Sequence, residues 1–171
     1  MNAEADILED IDEDADLSCV QEIQEHTLFK LKQGFFAVPV QIVREFLEVQ
    51  DFTDIPEAPP HVLGLITVRD ENIAVVDLAL KLGMPRTDHT AETRIIVMEI
   101  PNETGFSVIG AMVDSVVDVC VPEEVESRDI PDLGGKMRPD YIERLARYDD
   151  KTVMVLEARK IFSGTNLAGD E

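Results

Sequence analysis

PPHVLGLITVRDENIAVVDLALKLG, from Pro59 to Gly83, holds two apolar runs on either side of a short polar break. The runs are Val62 to Val68 and Ile73 to Val76, and the break between them is Arg69-Asp70-Glu71-Asn72. Two β-rich runs around such a break predict a hairpin. Neither run alternates cleanly between apolar and polar residues, so both faces of the hairpin are predicted to be largely buried.

The residues after the second run predict a short helix. Asp77 stands where an N-cap side chain accepts a backbone N–H from the next turn, and Gly83 stands where a helix end favours a positive φ. The helix between them has room for less than two turns.

Arg69 is a candidate binding residue at the tip of the predicted hairpin. It is the only Lys or Arg between Arg44 and Lys81. Its planar guanidinium carries five N–H donors, which suits it to bind carboxylates or backbone carbonyls of a partner. The alternative is that Arg69 only neutralises the neighbouring Asp70-Glu71 pair.

The order of these features resembles the CheW family of chemotaxis coupling proteins. In that family an Asn-Leu-Arg-Gly-type turn separates two apolar strands, and an Asp-Leu pair ends the second apolar run. Here the turn reads Thr67-Val68-Arg69-Asp70, with Asp77-Leu78 in register; Thr67 replaces the usual Asn and Asp70 the usual Gly. The resemblance covers about residues 27–163 and includes four further matches: Val43-Arg44-Glu45, Ile55-Pro56-Glu57-Ala58-Pro59, Gly64 and Ile109-Gly110-Ala111-Met112-Val113-Asp114-Ser115-Val116.

The resemblance implies a mainly β fold of two small five-stranded SH3-like barrels packed on a shared core, with a few short helices. It also implies a non-enzymatic adaptor, without a cofactor, that couples methyl-accepting chemoreceptors to a chemotaxis histidine kinase. In that scheme a groove between the barrels takes the cytoplasmic tip of the receptor's helical hairpin. Another barrel face packs end to end against a like barrel in the regulatory domain of the kinase.

Five residues match family positions that contact these partners. Val43, Arg69 and Gly110 resemble receptor-binding positions, whereas Glu45 and Gly64 resemble positions at or near the kinase contact. Structural roles remain open for four of them. Val43 also fits a core residue, Glu45 an exposed strand residue, and the two glycines fit points where another backbone approaches a strand closely.

Composition limits the classes of function. The chain has 171 residues, which suits one domain or two small lobes sharing a core, and 44% of them are apolar. Its net charge of -21 disfavours nucleic acids and anionic membrane surfaces as partners. No apolar stretch approaches the roughly 20 residues of a membrane span. Cys19 and Cys120 lack metal-site or redox spacing, so reduced thiols in a cytoplasmic protein are favoured over a bridge.

The two ends of the chain are predicted to be tails. Residues 1–25 contain ten acids and no Lys or Arg, so residues 1–26 are predicted to form a disordered tail or a frayed helix, and deletion of residues 2–25 is expected to leave the fold intact. Asp10, Asp12, Asp14 and Asp16 imitate the start of a calcium loop, but Ala15 and Gln21 occupy the positions that need Gly and Glu. The CheW-like domain is expected over residues 27–163, followed by a polar tail over residues 164–171.

Short strands at short intervals predict an all-β barrel or sandwich for the rest of the chain. Pro39 is expected at a sheet edge or a strand end. Residues 84–93 are expected to form an exposed connection, and residues 139–146 one helical turn or more. The other predicted strands are residues 27–32, 35–40, 44–49, 93–100, 106–113, 114–121 and 152–156, with a short helix at residues 157–162.

The sequence predicts no active site. His26, His61 and His89 have polar or Pro-flanked neighbours and are expected in exposed loops, and Ser107 lacks the second Gly of a nucleophile elbow. Two alternatives to a chemotaxis adaptor remain open. One is a divergent coupling protein of a pilus-motility or other non-flagellar pathway, and the other is a carboxylate-based metal enzyme.

Overall fold

The computed structural model describes residues 24–32, 34–125 and 138–162. In these ranges the chain forms β-strands joined by tight turns and by longer loops, two short α-helices, and 3₁₀ turns at Val40–Ile42 and Pro139–Tyr141. The helices are α1 (Leu78–Lys81) and α2 (Ala158–Phe162). The strands are β1 (His26–Leu31), β2 (Gly34–Pro39), β3 (Val43–Glu48), β4 (Val62–Val68), β5 (Glu71–Asp77), β6 (Arg94–Asn102), β7 (Gly105–Val113), β8 (Ser115–Cys120), β9 (Glu123–Glu124), β10 (Ile142–Tyr148) and β11 (Lys151–Leu156).

The strands form two curled sheets, which confirms the predicted fold. The first sheet has the order β8-β1-β2-β11-β10-β9 and the second β3-β6-β7-β5-β4. Each contains one parallel pair, β2 with β11 and β5 with β7. A bridge between Thr53 and Leu65 joins the segment after β3 to β4 and helps to close the second sheet. The first sheet exceeds five strands only through the two-residue β9.

Three apolar clusters explain why the two barrels form one unit. One fills the first barrel around Leu28 and Val153, and another fills the second barrel around Ile73 and Val97. The largest lies between the barrels, where the opposite faces of β1 and β2 meet β6, β7, α1 and α2. Strands that are apolar on both faces serve their own barrel on one side and the shared core on the other. The predicted shared core is therefore confirmed.

The β4–β5 hairpin is confirmed with a shorter break than the sequence indicates. Arg69 and Asp70 alone form the turn, with φ of 52° and 69°, while Glu71 and Asn72 belong to β5. Positive φ at both central residues is the requirement of a type I′ turn, which matches the twist of the flanking strands. Asp tolerates this left-handed region better than most residues. The Thr67 hydroxyl donates to Asn72 Oδ1 across the strands at 2.9 Å.

Asp77 caps α1, and Gly83 follows the helix with a φ of 92°, as predicted. The Asp77 carboxylate accepts from Leu80 N at 3.3 Å and from Thr87 N and Oγ1 at 3.0 and 2.9 Å. The expectation that residues 84–93 are an exposed connection is therefore wrong in part. Met84 and Thr87 are buried because the loop folds back over the capping carboxylate.

Two further expectations need correction. His26 is not in an exposed loop: it begins β1, is 1% exposed, and its Nδ1 lies 2.9 Å from the Gln24 carbonyl oxygen. Residues 139–146 form a single 3₁₀ turn, after which the chain continues as β10. Pro39 does end β2, but β2 pairs on both sides and is not an edge strand. The aspartates that imitate the start of a calcium loop, and most of both predicted tails, lie outside the described residues.

Candidate partner-binding surface

Arg69 extends from the β4–β5 turn and is held by Glu45 on β3. The two guanidinium nitrogens donate to the two carboxylate oxygens at 2.5 and 2.9 Å. The Arg69 side chain remains 73% exposed, whereas that of Glu45 is 18% exposed. Hydrogen bonds from Arg69 lower the pKa of Glu45, and the same bonds raise the pKa of Arg69. Glu45, and not the adjacent Asp70 or Glu71, is thus the ion-pair partner of Arg69.

Arg44, the residue before Glu45, binds the other side of the same hairpin. It donates to Glu71 at 2.9 Å and, through two nitrogens, to Glu99 on β6 at 2.9 and 2.6 Å. The β3–β6 register shifts between Val43 and Glu45, and such a bulge re-aims side chains. Two consecutive residues of β3 consequently hold the hairpin. Exposed ion pairs add little stability, but this pattern fixes the position of the turn.

The structure brings Val43 close to this pair but separates the two glycines from it. Val43 begins β3 and packs, half-buried, against the shared core. Gly110 is buried in the middle of β7, where a Cβ would lie 2.9 Å from Ile95 Cγ2 and 3.2 Å from Val75 Cγ2. The Gly110 backbone is therefore enclosed by side chains of its own barrel. A receptor contact through Gly110 would have to be indirect.

Gly64 lies near the other end of β4, about 17 Å along the strand from Arg69 at the rise per residue of an extended chain. Its φ is +143°, and a Cβ there would lie 2.6 Å from the Thr53 carbonyl oxygen. The close approach predicted for this glycine is with the Phe52-Thr53 backbone, which closes the barrel. Gly64 thus has a structural role that is independent of any partner.

A groove of about 570 Å³ opens between the two barrels on the side of the first 3₁₀ turn. Phe106, at the start of β7, forms part of its wall and is 58% exposed. The lining residues come from both sheets, from the 3₁₀ turn and from the start of α2: Pro39, Gln41, Ile42, Glu99, Ile100, Pro101, Gly105, Phe106, Glu143, Leu156, Glu157, Ala158 and Arg159. The groove is connected to the hairpin because Glu99, which lines it, also binds Arg44.

Other exposed apolar side chains lie outside the groove lining. Phe46 on β3 is 42% exposed, and Val117, Val119 and Val121 are exposed in and after β8. β8 pairs only with β1, so one edge of this strand carries no partner strand among the described residues. Apolar patches of this kind are typical of surfaces that contact other proteins.

The described residues contain no group of three or more His, Cys, Asp or Glu side chains that could hold a metal ion. Cys120 is a free thiol, and burial raises its pKa, which favours the unreactive protonated form. No helix within the described ranges has the length and apolar character needed to cross a membrane.

Sequence reasoning missed two features of this surface. The Arg69–Glu45 pair joins residues 24 positions apart, and no local pattern predicts which acid of so acidic a chain Arg69 selects. The groove depends on how the barrels pack, so its lining residues share no motif. Pro101, Gly105 and Phe106 line the groove around the turn between β6 and β7, and no pattern in the sequence marks them as part of a groove.

Comparison with known proteins places these features in a family. The family model described as CheW-like domain matches residues 25–166. A probable chemotaxis protein CheW from Rhizobium etli is 27% identical over 137 residues, covering 80% of this chain and 86% of the relative. Chemotaxis protein CheW from Bacillus subtilis is 26% identical over 134 residues, covering 78% and 83%. The crystal structure of scaffolding protein TtCheW from Thermoanaerobacter tengcongensis superposes with a TM-score of 0.69 at 25% identity, covering 82% and 88%.

Proposed function

The chain belongs to the CheW-like domain family and is a non-enzymatic chemotaxis coupling adaptor, and from this premise we propose how it divides its surface between receptor and kinase. The curated relatives named above are chemotaxis proteins, which favours this pathway over pilus motility and over a metal enzyme. The tip of a methyl-accepting chemoreceptor binds at the groove and the adjoining β3–hairpin surface. The regulatory domain of the histidine kinase binds the outer face of the second barrel.

The observation that carries the receptor half of this proposal is the geometry of Arg69. The side chain is 73% exposed, yet its direction is fixed by two hydrogen bonds to Glu45. A preorganised guanidinium loses little side-chain freedom on binding, so its remaining donors are available to a partner at small entropic cost. Val43 lies two residues from Glu45 and directly follows the groove residue Ile42, so the proposed receptor residues on β3 and the hairpin adjoin the groove.

The kinase half rests on the second barrel, to which both Glu45 and Gly64 belong. Glu45 lies on β3 and Gly64 on β4, the two end strands of that sheet. The Thr53–Leu65 bridge lies directly beside Gly64, so the proposed kinase face is formed where the barrel closes. A like barrel of the kinase would pack end to end on this face. With both partners bound the adaptor is recruited to receptor arrays at the membrane.

The test is isothermal calorimetry with two partners from the same organism, the kinase regulatory domain and a receptor-tip fragment. We expect both to bind the native chain. The Arg69→Glu substitution should weaken receptor binding at least tenfold and kinase binding less than threefold. Arg86→Glu is the matched control, because Arg86 is exposed and lies beyond α1, away from the hairpin turn. It should change neither affinity more than twofold.

Failure of the native chain to bind either partner would refute the proposed division of the surface. Equal loss of receptor affinity in the Arg69 and Arg86 variants would show that only net charge matters. In that case the receptor does not contact the hairpin turn.

A further inference from the structure

The groove between the barrels combines an apolar floor with charged rims. Ile42, Ile100 and Leu156 come from the 3₁₀ turn, β6 and β11, and all three side chains pack with the shared core. Phe106 stands beside them as the most exposed of the large hydrophobic residues in the described chain. Aromatic side chains that project at the edge of an apolar depression are typical anchors of protein interfaces.

Strand addition does not suit this groove. A peptide that extends a sheet needs a row of backbone N–H donors along a free edge. Pro39 and Pro101 both line the groove, and neither has a backbone N–H. The occupant must therefore satisfy its own backbone hydrogen bonds, which a helix does. An apolar helical face fits a floor of aliphatic side chains.

The charges around the groove select the polar part of that helix. Three acids and one base line it, namely Glu99, Glu143, Glu157 and Arg159. Glu99 already receives two hydrogen bonds from Arg44, and Glu143 receives one from Arg144. Glu157 is half-buried, and its carboxylate makes no hydrogen bond or ion pair with the described residues around it. A half-buried carboxylate gains more from a new cationic partner than the exposed Arg159 gains from an anion.

Gln24 and Glu25 lie beside the groove. Gln24 hydrogen-bonds Gln41, which lines the groove, and the Glu25 carbonyl oxygen accepts from Val40 N at 3.0 Å. The sequence up to this point, residues 1–25, contains ten acids and no Lys or Arg, and the whole chain has a net charge of -21. Such a negative charge attracts cationic partners and speeds their association.

We propose that the groove selects an apolar helix carrying Lys or Arg, with Phe106 as the apolar anchor and Glu157 as the acceptor for the basic side chain. This inference rests on the proposed function, in which the helix belongs to the receptor's helical hairpin. It adds the charge that the helix carries and the two residues that recognise it.

The experiment measures binding of a receptor-tip fragment by calorimetry at 50 and 300 mM NaCl, with the full chain. Phe106→Ala should weaken binding at least tenfold, Glu157→Gln about threefold and Glu157→Lys at least tenfold. Glu92→Lys is the control for the charge change, because Glu92 is exposed and lies before β6, at the end away from the groove. It should weaken binding less than twofold. A second receptor-tip fragment carries Gln in place of the Lys and Arg residues that flank the apolar face of its helix. The native and Glu157→Lys proteins should bind this second fragment with equal affinity.

Three results would overturn the inference while leaving the adaptor role and the receptor contact at Arg69 standing. Receptor binding that is unchanged in the Phe106 and Glu157 variants would confine the receptor to the β3–hairpin surface, outside the groove. Weakening by Arg159→Glu as large as that by Glu157→Lys would show that the groove selects an anionic helix. Tenfold tighter binding after deletion of residues 2–23 would show that the acidic segment itself occupies the groove. If the fragment does not bind the native chain at all, the proposed function fails with it.

Discussion

Replacement of Gly64 by alanine should destabilise the second barrel through two separate effects. The first is backbone strain, because Gly64 has a φ of +143°, and a side chain in such a region costs roughly 1–3 kcal/mol. The second is a clash, because the new Cβ would lie 2.6 Å from the Thr53 carbonyl oxygen and 2.9 Å from Phe52 Cβ. That oxygen accepts from Leu65 N at 2.8 Å, so it cannot move without loosening the barrel closure. Overpacking of this kind costs roughly 1–3 kcal/mol more.

The sum is about 4 kcal/mol, which at roughly 3 °C per kcal/mol lowers the melting temperature by about 12 °C. This decrease in melting temperature is measured by thermal unfolding followed by circular dichroism. Gly105→Ala is the matched control: its φ is +136°, but a Cβ there meets nothing within 4 Å. It should therefore show the strain alone, about half the loss. A Gly64 variant that melts within 3 °C of the native protein, or together with the Gly105 variant, would refute the clash.

Three other perturbations test separate parts of the fold. The free energy of unfolding in urea should fall by about 3 kcal/mol in the Asp77→Ala variant, because buried donors lose their acceptor. Thr87→Val removes one of these donors and should cost about half as much. Equal losses for Asp77→Ala and for Asp88→Ala, which changes an exposed side chain, would contradict this reasoning. Burial lowers the pKa of His26 below its ordinary value of 6.5. Near and below pH 6.5 the unfolded state therefore binds a proton that the folded state does not. The free energy of unfolding should consequently fall as the pH drops below 6.5. His26→Gln should flatten that slope between pH 7.5 and 5.5, and an unchanged slope would show that other groups carry it. Deletion of residues 2–23 should leave the melting temperature within about 3 °C, whereas a larger fall would show that the acidic segment supports the fold.

The features that the sequence predicted well are those determined by local pattern. The β4–β5 hairpin needs only two apolar runs and a polar break, and the α1 cap needs only Asp77 and a following Gly83. The shared core was implied by the family resemblance and not by local pattern. The hairpin and cap signals each lie within about 15 consecutive residues, which explains why they survive in the folded chain.

The errors occurred where tertiary contacts override local pattern. His26 has polar neighbours in sequence, yet strand pairing with Pro39 and Cys120 buries it. Residues 84–93 are polar, yet Thr87 supplies two hydrogen bonds to the buried Asp77. Buried polar groups need partners, and those partners come from whichever loop passes nearby. A propensity argument contains no information about that choice.

The pairing of Arg69 with Glu45 means that a single substitution at Arg69 acts on both proposed surfaces, although more strongly on the receptor side. Arg69 belongs to the proposed receptor surface and Glu45 to the proposed kinase surface, but each positions the other. Loss of Arg69 leaves Glu45, 18% exposed, without its partner, and so disturbs the kinase side as well. The double variant Arg69→Glu with Glu45→Arg restores the pair with reversed charges. If each residue only positions the other, the double variant should regain both affinities to within threefold of native. If Arg69 contacts the receptor directly and Glu45 contacts the kinase directly, both affinities should stay at least tenfold low, and this second result is the one that the two proposed surfaces predict.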